Sequence, residues 1–269
     1  DSEAELGKLL KDVLNSNINT PSLKDVESCD AVLILGEDST NHAPMLALSL
    51  RQAVRNEAKK LAEDARIPLW QDAAVRSLAQ DALSPMFILT SFEDRLDDVG
   101  IPTRLSTDEI AKAGFSIASI IDAEGQQTAD DSNFQSIVDA LTNANRPLIV
   151  TGSSNCSPEI VKAAINVASA LTKRNDNTGL VICTDEANTL AAVSLGKQSF
   201  PGTGADVAIV LENDLSLRIP SETLEAWLTQ VKDLVVIDSL DNSISSRSNL
   251  VLPAATFAEA EGTYINNEG

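Results

Sequence analysis

The stretch PLIVTGSSNCSPEIVKAAINVASALTK (147–173) decides the fold class. Its first six residues form a short apolar run without strict alternation, the pattern of a strand buried on both faces of a parallel sheet. A small polar turn, TGSSN (151–155), follows. Ser157 is then placed as a helix N-cap with Pro158 at the first helical position. Ile160, Ala163, Ala164, Val167, Ala168 and Leu171 recur at helical spacing and define one apolar face. A strand running through a tight turn into an amphipathic helix is one half of a β-α-β unit.

The same plan recurs along the chain. Further strands are expected at AVLILG (31–36), MFILT (86–90), LVICT (180–184), VAIVLEN (207–213), LVVID (234–238) and LVLPA (250–254). Helices are expected at 43–63, 71–83, 130–144, 157–173, 187–195 and 220–231. Such alternation means α/β architecture with right-handed crossovers. The stretch 91–129 is rich in Asp, Ser, Thr and Gln, and reads as an irregular connection with one short helix around GFSIASII (114–121). The expected organisation is therefore a first α/β unit at 1–90, a connection at 91–145 and a second α/β unit at 146–269, truncated at its C-terminus. No internal repeat is strong enough to indicate duplication.

Composition narrows the function. The 269 residues carry 40 Asp and Glu against 20 Lys and Arg, a net charge of −20. So acidic a surface repels phosphate backbones and anionic headgroups, which argues against nucleic-acid binding and direct membrane insertion. Aromatic residues are 3% of the chain, so the core has to be built from Ala, Leu, Ile and Val. Cys29, Cys156 and Cys183 are scattered without C-x-x-C spacing, which suits a reducing compartment and argues against an iron–sulfur cluster within this stretch. His42 is the single histidine, so a His/Cys metal site is not expected. The first residue, Asp1, fits a processed product or an excised piece.

Catalytic motifs are weak. PGTGAD (201–206) has the glycines of a nucleotide loop but precedes its strand instead of following it. TGSSN (151–155) is placed correctly but lacks the further glycines and the lysine of a phosphate loop. No G-x-S-x-G is present, and a serine triad would have to rest on His42. Two strand ends are more informative. LGEDSTNHAP (35–44) and LENDLSLRIP (211–220) share an apolar strand, an acidic end and a loop running to proline. Ligands of doubly wound sheets sit at such carboxyl ends.

The closing stretch NLVLPAATFAEAEGTYINNEG (249–269) adds a family signature. It is similar to the segment A-D-x-V-L-P-A-x-x-x-x-E-x-x-G-T-x-x-N-x-E-G-R of the molybdopterin oxidoreductase family. Leu252, Pro253, Ala254, Glu259, Glu261, Gly262, Thr263, Asn266, Glu268 and Gly269 fit it, and Asn249 stands in place of Asp. The match breaks off one residue before the family's next Arg. DAVLILGEDSTNHAP (30–44) and GADVAIVLENDL (204–215) resemble the family's two D-x-x-x-x-x-G-x-N-P loops. Within the family the chain resembles most the branch formed by the G subunits of NADH-quinone oxidoreductase, the large iron–sulfur subunits of respiratory complex I.

The resemblance implies two Rossmann-like, doubly wound parallel-sheet units of the formate dehydrogenase/DMSO reductase type. In cofactor-holding members those loops approach the guanine dinucleotide ends of the pterins. Here the candidate cleft residues are Gly36, Glu37, Asp38, Gly152, Glu212, Asn213 and Asp214. Asp38 replaces the pattern's Asn, Leu211 is read in place of the glycine, and Asp214 replaces proline. Added carboxylates oppose an anionic ligand and a side chain in place of glycine blocks close approach, so the cleft reads as vestigial. The resemblance thus implies a redox-inert scaffold, without catalytic residues, cofactor or metal of its own. The iron–sulfur clusters would belong to a missing N-terminal part, the partners would be other subunits of the peripheral arm of complex I, and the location would be cytoplasmic, on the inner face of the bacterial membrane. Two readings remain beside it: a piece of a true molybdopterin-guanine-dinucleotide enzyme such as a formate dehydrogenase or nitrate reductase, and an unrelated nucleotide- or sugar-binding α/β protein. Phe257 and Tyr264 are expected to pin the closing segment to the core, after a buried strand LVLPA.

Overall fold

A computed structural model describes residues 2–123, 131–155, 157–184, 186–196, 205–266 and 268. Cys156, Gly269 and the glycine turn at 201–204 lie outside the described residues. The described residues form eight strands: β1 (Ala31–Leu35), β2 (Met86–Thr90), β3 (Ile101–Arg104), β4 (Pro147–Gly152), β5 (Gly179–Cys183), β6 (Val207–Leu211), β7 (Asp233–Asp238) and β8 (Leu250–Pro253). They form two parallel sheets, of order β3-β2-β1-β4-β5 and β6-β7-β8. The fold is α/β with Rossmann-like strand order, as expected from the strand–helix alternation.

The division into units falls elsewhere than the sequence suggested. One compact unit holds residues 1–195 with 265–269, and the other holds 196–264. Strands from 1–90, from 91–145 and from 146–269 share the first sheet, so the stretch 91–145 is an integral part of it. It supplies β3 and a helix of 16 residues, Thr107–Asp122. β3 lies where an irregular connection was expected: it is a fully exposed edge strand carrying Pro102, with little apolar signal. The helix, expected only as a short one around 114–121, begins earlier, and its buried face is built partly from small residues, Ala111, Ala113, Gly114 and Ala118, between Ile110, Ile117, Ile120 and Ile121. Its start is fixed by Glu109, whose carboxylate accepts from the Ser106 N–H at 2.9 Å and its hydroxyl at 2.7 Å.

The single helix expected at 43–63 is two, Pro44–Ala53 and Asn56–Asp64. The carbonyl of Val54 accepts from the Ser84 N–H at 2.8 Å, and Asn56 Nδ2 donates to the carbonyls of Glu27 (2.8 Å) and Cys29 (2.9 Å). These tertiary bonds interrupt the i→i−4 ladder at the junction. The helix Ser2–Leu14 was not foreseen either.

In the first sheet both faces are covered. Leu33 and Leu35 pack into one core with Ile117, Ile121 and Val167. Val32 and Ile34 pack into another with Leu46, Leu50 and Val54. Among the described residues the second sheet is covered on one face only, where Val210, Leu234 and Val236 meet Leu224, Trp227 and Ile244. Its β8 is exposed throughout, and Phe257 and Tyr264 are 88% and 62% exposed. The expected buried strand and aromatic pins are therefore not what forms. Among the described residues, this unit's small core lies on the opposite face of the sheet.

Candidate functional site

The first sheet reverses direction at β1: strands β2 and β3 lie to one side, β4 and β5 to the other. At such a switch point the carboxyl ends of the two central strands diverge and leave a crevice. Gly36, Glu37 and Asp38 leave the end of β1 there, and Gly152 ends β4. Four of the seven residues named from sequence thus come together, across a separation of more than a hundred positions in the chain.

The junction is tightly laced. Thr151 donates its hydroxyl to the Leu35 carbonyl at 3.1 Å, and Asn155 Nδ2 donates to the Gly36 carbonyl. The Asp38 N–H donates to Ser154 Oγ at 3.0 Å. Gly36 has φ +68°, and a Cβ there would lie 2.9 Å from Asn155 Nδ2 and 3.0 Å from Ile160 Cδ1. Glycine is needed on both counts. The Glu37 side chain is fully buried and turns under β4: a Cβ built at Gly152 would overlap Glu37 Oε2 and lie 2.6 Å from the Cys183 carbonyl oxygen. The Ser154 N–H donates to the same Oε2 at 3.3 Å. The backbone donor that a phosphate would need at the TGSSN turn is thus given to a carboxylate of the chain itself.

Ser154 Oγ lies 2.9 Å from His42 Nδ1, and Glu37 Oε1 lies 3.4 Å from that same nitrogen. A serine–histidine–acid relay needs the hydroxyl and the acid on opposite ring nitrogens. Both partners here crowd one nitrogen, so the arrangement orients the loop and does not activate a serine. Thr151, Ser154 and Asn155 lie in the TGSSN turn weighed from the sequence as a weak phosphate loop, but their bonds to the end of β1 had no signal there, because the partners are distant in the chain. Cys183, beside this cluster, has its thiol pushed up by burial and further by the Glu37 charge. Burial likewise pushes the Cys29 thiol up to about 12. Thiols held protonated are poor nucleophiles and poor metal ligands.

Glu212, Asn213 and Asp214 lie in the other unit, at the end of β6. Their loop repeats the plan of the first. The Gly36 N–H donates to the Leu89 carbonyl of β2 at 2.8 Å, and the Glu212 N–H donates to the Ile237 carbonyl of β7 at 2.8 Å. Gly36 and Glu212 both have positive φ, +68° and +45°. The residue standing in place of the glycine is thus Glu212, not Leu211 as the sequence pattern suggested. Asp38 and Asp214 are also equivalent, and each caps the turn that follows. Asp38 accepts from the Asn41 N–H at 3.1 Å and from Asn41 Nδ2 at 2.7 Å. Asp214 accepts from the Ser216 N–H (3.0 Å) and from the hydroxyls of Ser216 (2.6 Å) and Ser243 (3.1 Å). The Ser216 hydroxyl, foremost, holds the Asp214 carboxyl below its usual range.

Comparison with known proteins follows the same lines. The model of the molybdopterin oxidoreductase family matches residues 121–269. The G subunit of NADH-quinone oxidoreductase from Pseudomonas putida is 40% identical over 268 residues, 95% of this chain. Its counterparts from Escherichia coli and Shewanella oneidensis are each 37% identical over 97% of this chain. The chain spans 30% of the length of each of these curated relatives. Among solved structures, a crystal structure of the formyltransferase/hydrolase complex FhcABCD from Methylorubrum extorquens, in complex with methylofuran, matches with a TM-score of 0.60. That match has 14% identity and covers 99% of this chain and 74% of that one, a likeness of fold. With a family match over more than half its length, and with both loop motifs at the carboxyl ends of parallel strands, the chain belongs to the molybdopterin oxidoreductase family.

Proposed function

We propose that this chain is the redox-inert, molybdopterin-oxidoreductase-like part of the large iron–sulfur subunit, the G subunit, of an NADH-quinone oxidoreductase. The similarity to G subunits over 95–97% of the chain carries the reading. In the parent complex electrons pass from NADH to quinone, and the clusters that carry them belong to the part of the polypeptide outside these 269 residues. The role of this part is structural: it shapes its own subunit and docks against neighbouring subunits of the peripheral arm. The complex would hold it on the inner face of the bacterial membrane, and no helix among the described residues is long and apolar enough to cross one.

The loops support a scaffold reading over a cofactor site, and the seven cleft residues read as vestigial. A guanine dinucleotide would need close backbone approach and free N–H donors at the strand ends. Glu37 takes the Ser154 N–H, and Glu212 places a side chain where the other loop has glycine. Asp38 and Asp214 add a carboxylate to each loop, and its negative charge opposes a phosphate. These residues do not fit the dinucleotide. The buried thiols Cys29 and Cys183 are likewise unsuited to hold iron. Reconstitution of the purified chain with ferrous iron and sulfide tests the redox-inert reading. The expected spectrum lacks stoichiometric thiolate–iron absorption, and its appearance would overturn the proposal.

A further inference from the structure

The closing motif carries side chains that the scaffold reading leaves without a task. Ile265, Asn266 and Glu268 belong to the first compact unit, although residues 196–264 before them form the second. Three contacts seat them there. The Ile265 N–H donates to Asn188 Oδ1 at 3.0 Å, and the Ile265 side chain packs against the core that holds Leu10, Val13 and Ile182. The Glu268 carbonyl accepts from the Thr20 hydroxyl at 3.1 Å. The Glu268 carboxylate, through Oε1, accepts from the Leu23 N–H at 3.2 Å. Asn266 Oδ1 accepts the Glu268 N–H at 3.1 Å, an Asx turn that sets the backbone for both bonds.

Leu23 is the first residue of the short helix Leu23–Val26, and its N–H has no partner within that helix. The capping box of Ser22 and Asp25 satisfies the N–H groups of those two residues, at 3.3 and 3.2 Å, and leaves that of Leu23 over. Glu268 supplies the acceptor.

The stretch held in this way covers a sheet edge. β5 is the outermost strand of the first sheet on its side. Asn19 bridges to Gly179 in parallel, the Leu180 N–H donates to the Asn19 carbonyl at 2.9 Å, and a Cβ at Gly179 would lie 2.9 Å from Pro21 Cγ. An uncovered edge is a template for pairing with another chain. One bridge is not a ladder, so its ends have to be fixed from elsewhere. Leu10 and Val13 of the helix Ser2–Leu14 fix one end in the first core. Val26, buried in the second core, fixes the other together with Glu268.

We infer that the closing motif acts as a clasp: Ile265 anchors it to the core, and Glu268 locks residues 19–23 over the outer edge of β5, which keeps that edge closed to pairing with a second chain. All the contacts lie within the first unit, and none depends on the function proposed above.

The test is amide hydrogen exchange in the 269-residue chain. Glu268→Ala removes the acceptor. Leu23→Pro removes the donor and keeps the backbone, since proline suits the first position of a helix and Ser22, at ψ 162°, is extended as the residue before proline has to be. Each should speed exchange of the Leu180 N–H roughly 3- to 10-fold, the loss of one hydrogen bond to a solvated carboxylate, and leave the amides of β1 unchanged. The two changes combined should do no more than either alone, because both break the same bond. Glu268→Gln keeps an acceptor and should stay close to the unaltered chain. Unchanged exchange at Leu180 in Glu268→Ala, additive effects in the double variant, or equal acceleration in β1 would each overturn the inference. Sedimentation gives a second readout: Glu268→Ala should self-associate more than the unaltered chain, and equal behaviour would contradict the protection of the edge. Binding of a guanine dinucleotide would unseat the scaffold reading and leave these exchange rates untouched.

Discussion

At the residue scale the two loops form an internal experiment on one backbone conformation. Gly36 and Glu212 both sit at positive φ after the last residue of a leading strand, but a Cβ at Gly36 would be crowded whereas Glu212 is exposed. A non-glycine residue in the left-handed region costs roughly 1–2 kcal/mol. Glu212→Gly should therefore raise stability, by up to about 1 kcal/mol once the added freedom of the unfolded chain is subtracted. Gly152→Ala should lower it by roughly 1–3 kcal/mol, because Glu37 and the Cys183 carbonyl already fill the space a methyl would take. Urea titration of both variants checks the pair, and a destabilising Glu212→Gly would show that the loop equivalence is misread. The sequence could place both loops at strand ends, because proline and acidic residues mark them. It could not align them to the residue, since the alignment rests on φ and on one N–H donated to a neighbouring strand.

At the element scale, helix starts in this acidic protein lean on carboxylates. Glu109 accepts from Ser106, and Asp25 from the hydroxyl and N–H of Ser22, with both carboxyls held below their usual values by those Ser donors. A lowered folded-state value means the folded state favours the ionised form. Its contribution is complete above the unfolded values, about 4.5 for Glu and 3.8 for Asp, and is lost as pH falls below them through the folded values. Stability followed by urea titration should thus decline on the acid side of about pH 4.5, and Glu109→Gln should flatten part of that decline. An unchanged acid limb in Glu109→Gln would remove the cap from the account. Most of the helices and strands were legible because their apolar spacing is regular. The helix Thr107–Asp122 was legible only in part and the strand Ile101–Arg104 not at all, since one buries small residues among its isoleucines and the other buries none. Packing partners, absent from local spacing, define both.

For the molecule as a whole, family membership was legible from the closing motif, whereas the division into units was not. Strand pairing of β1 with β4 joins residues more than a hundred positions apart, and a polar stretch between them looked like a boundary. The motif's strand Leu250–Pro253 and its aromatics Phe257 and Tyr264, read as buried, lie exposed, and it is Ile265 that packs against the first unit's core. The central claim is that the strand-end loops keep the family's geometry without its ligand. Isothermal calorimetry with GDP and with a molybdopterin guanine dinucleotide tests it most directly. The account predicts no saturable heat with either ligand, and micromolar binding at one site per chain would contradict it.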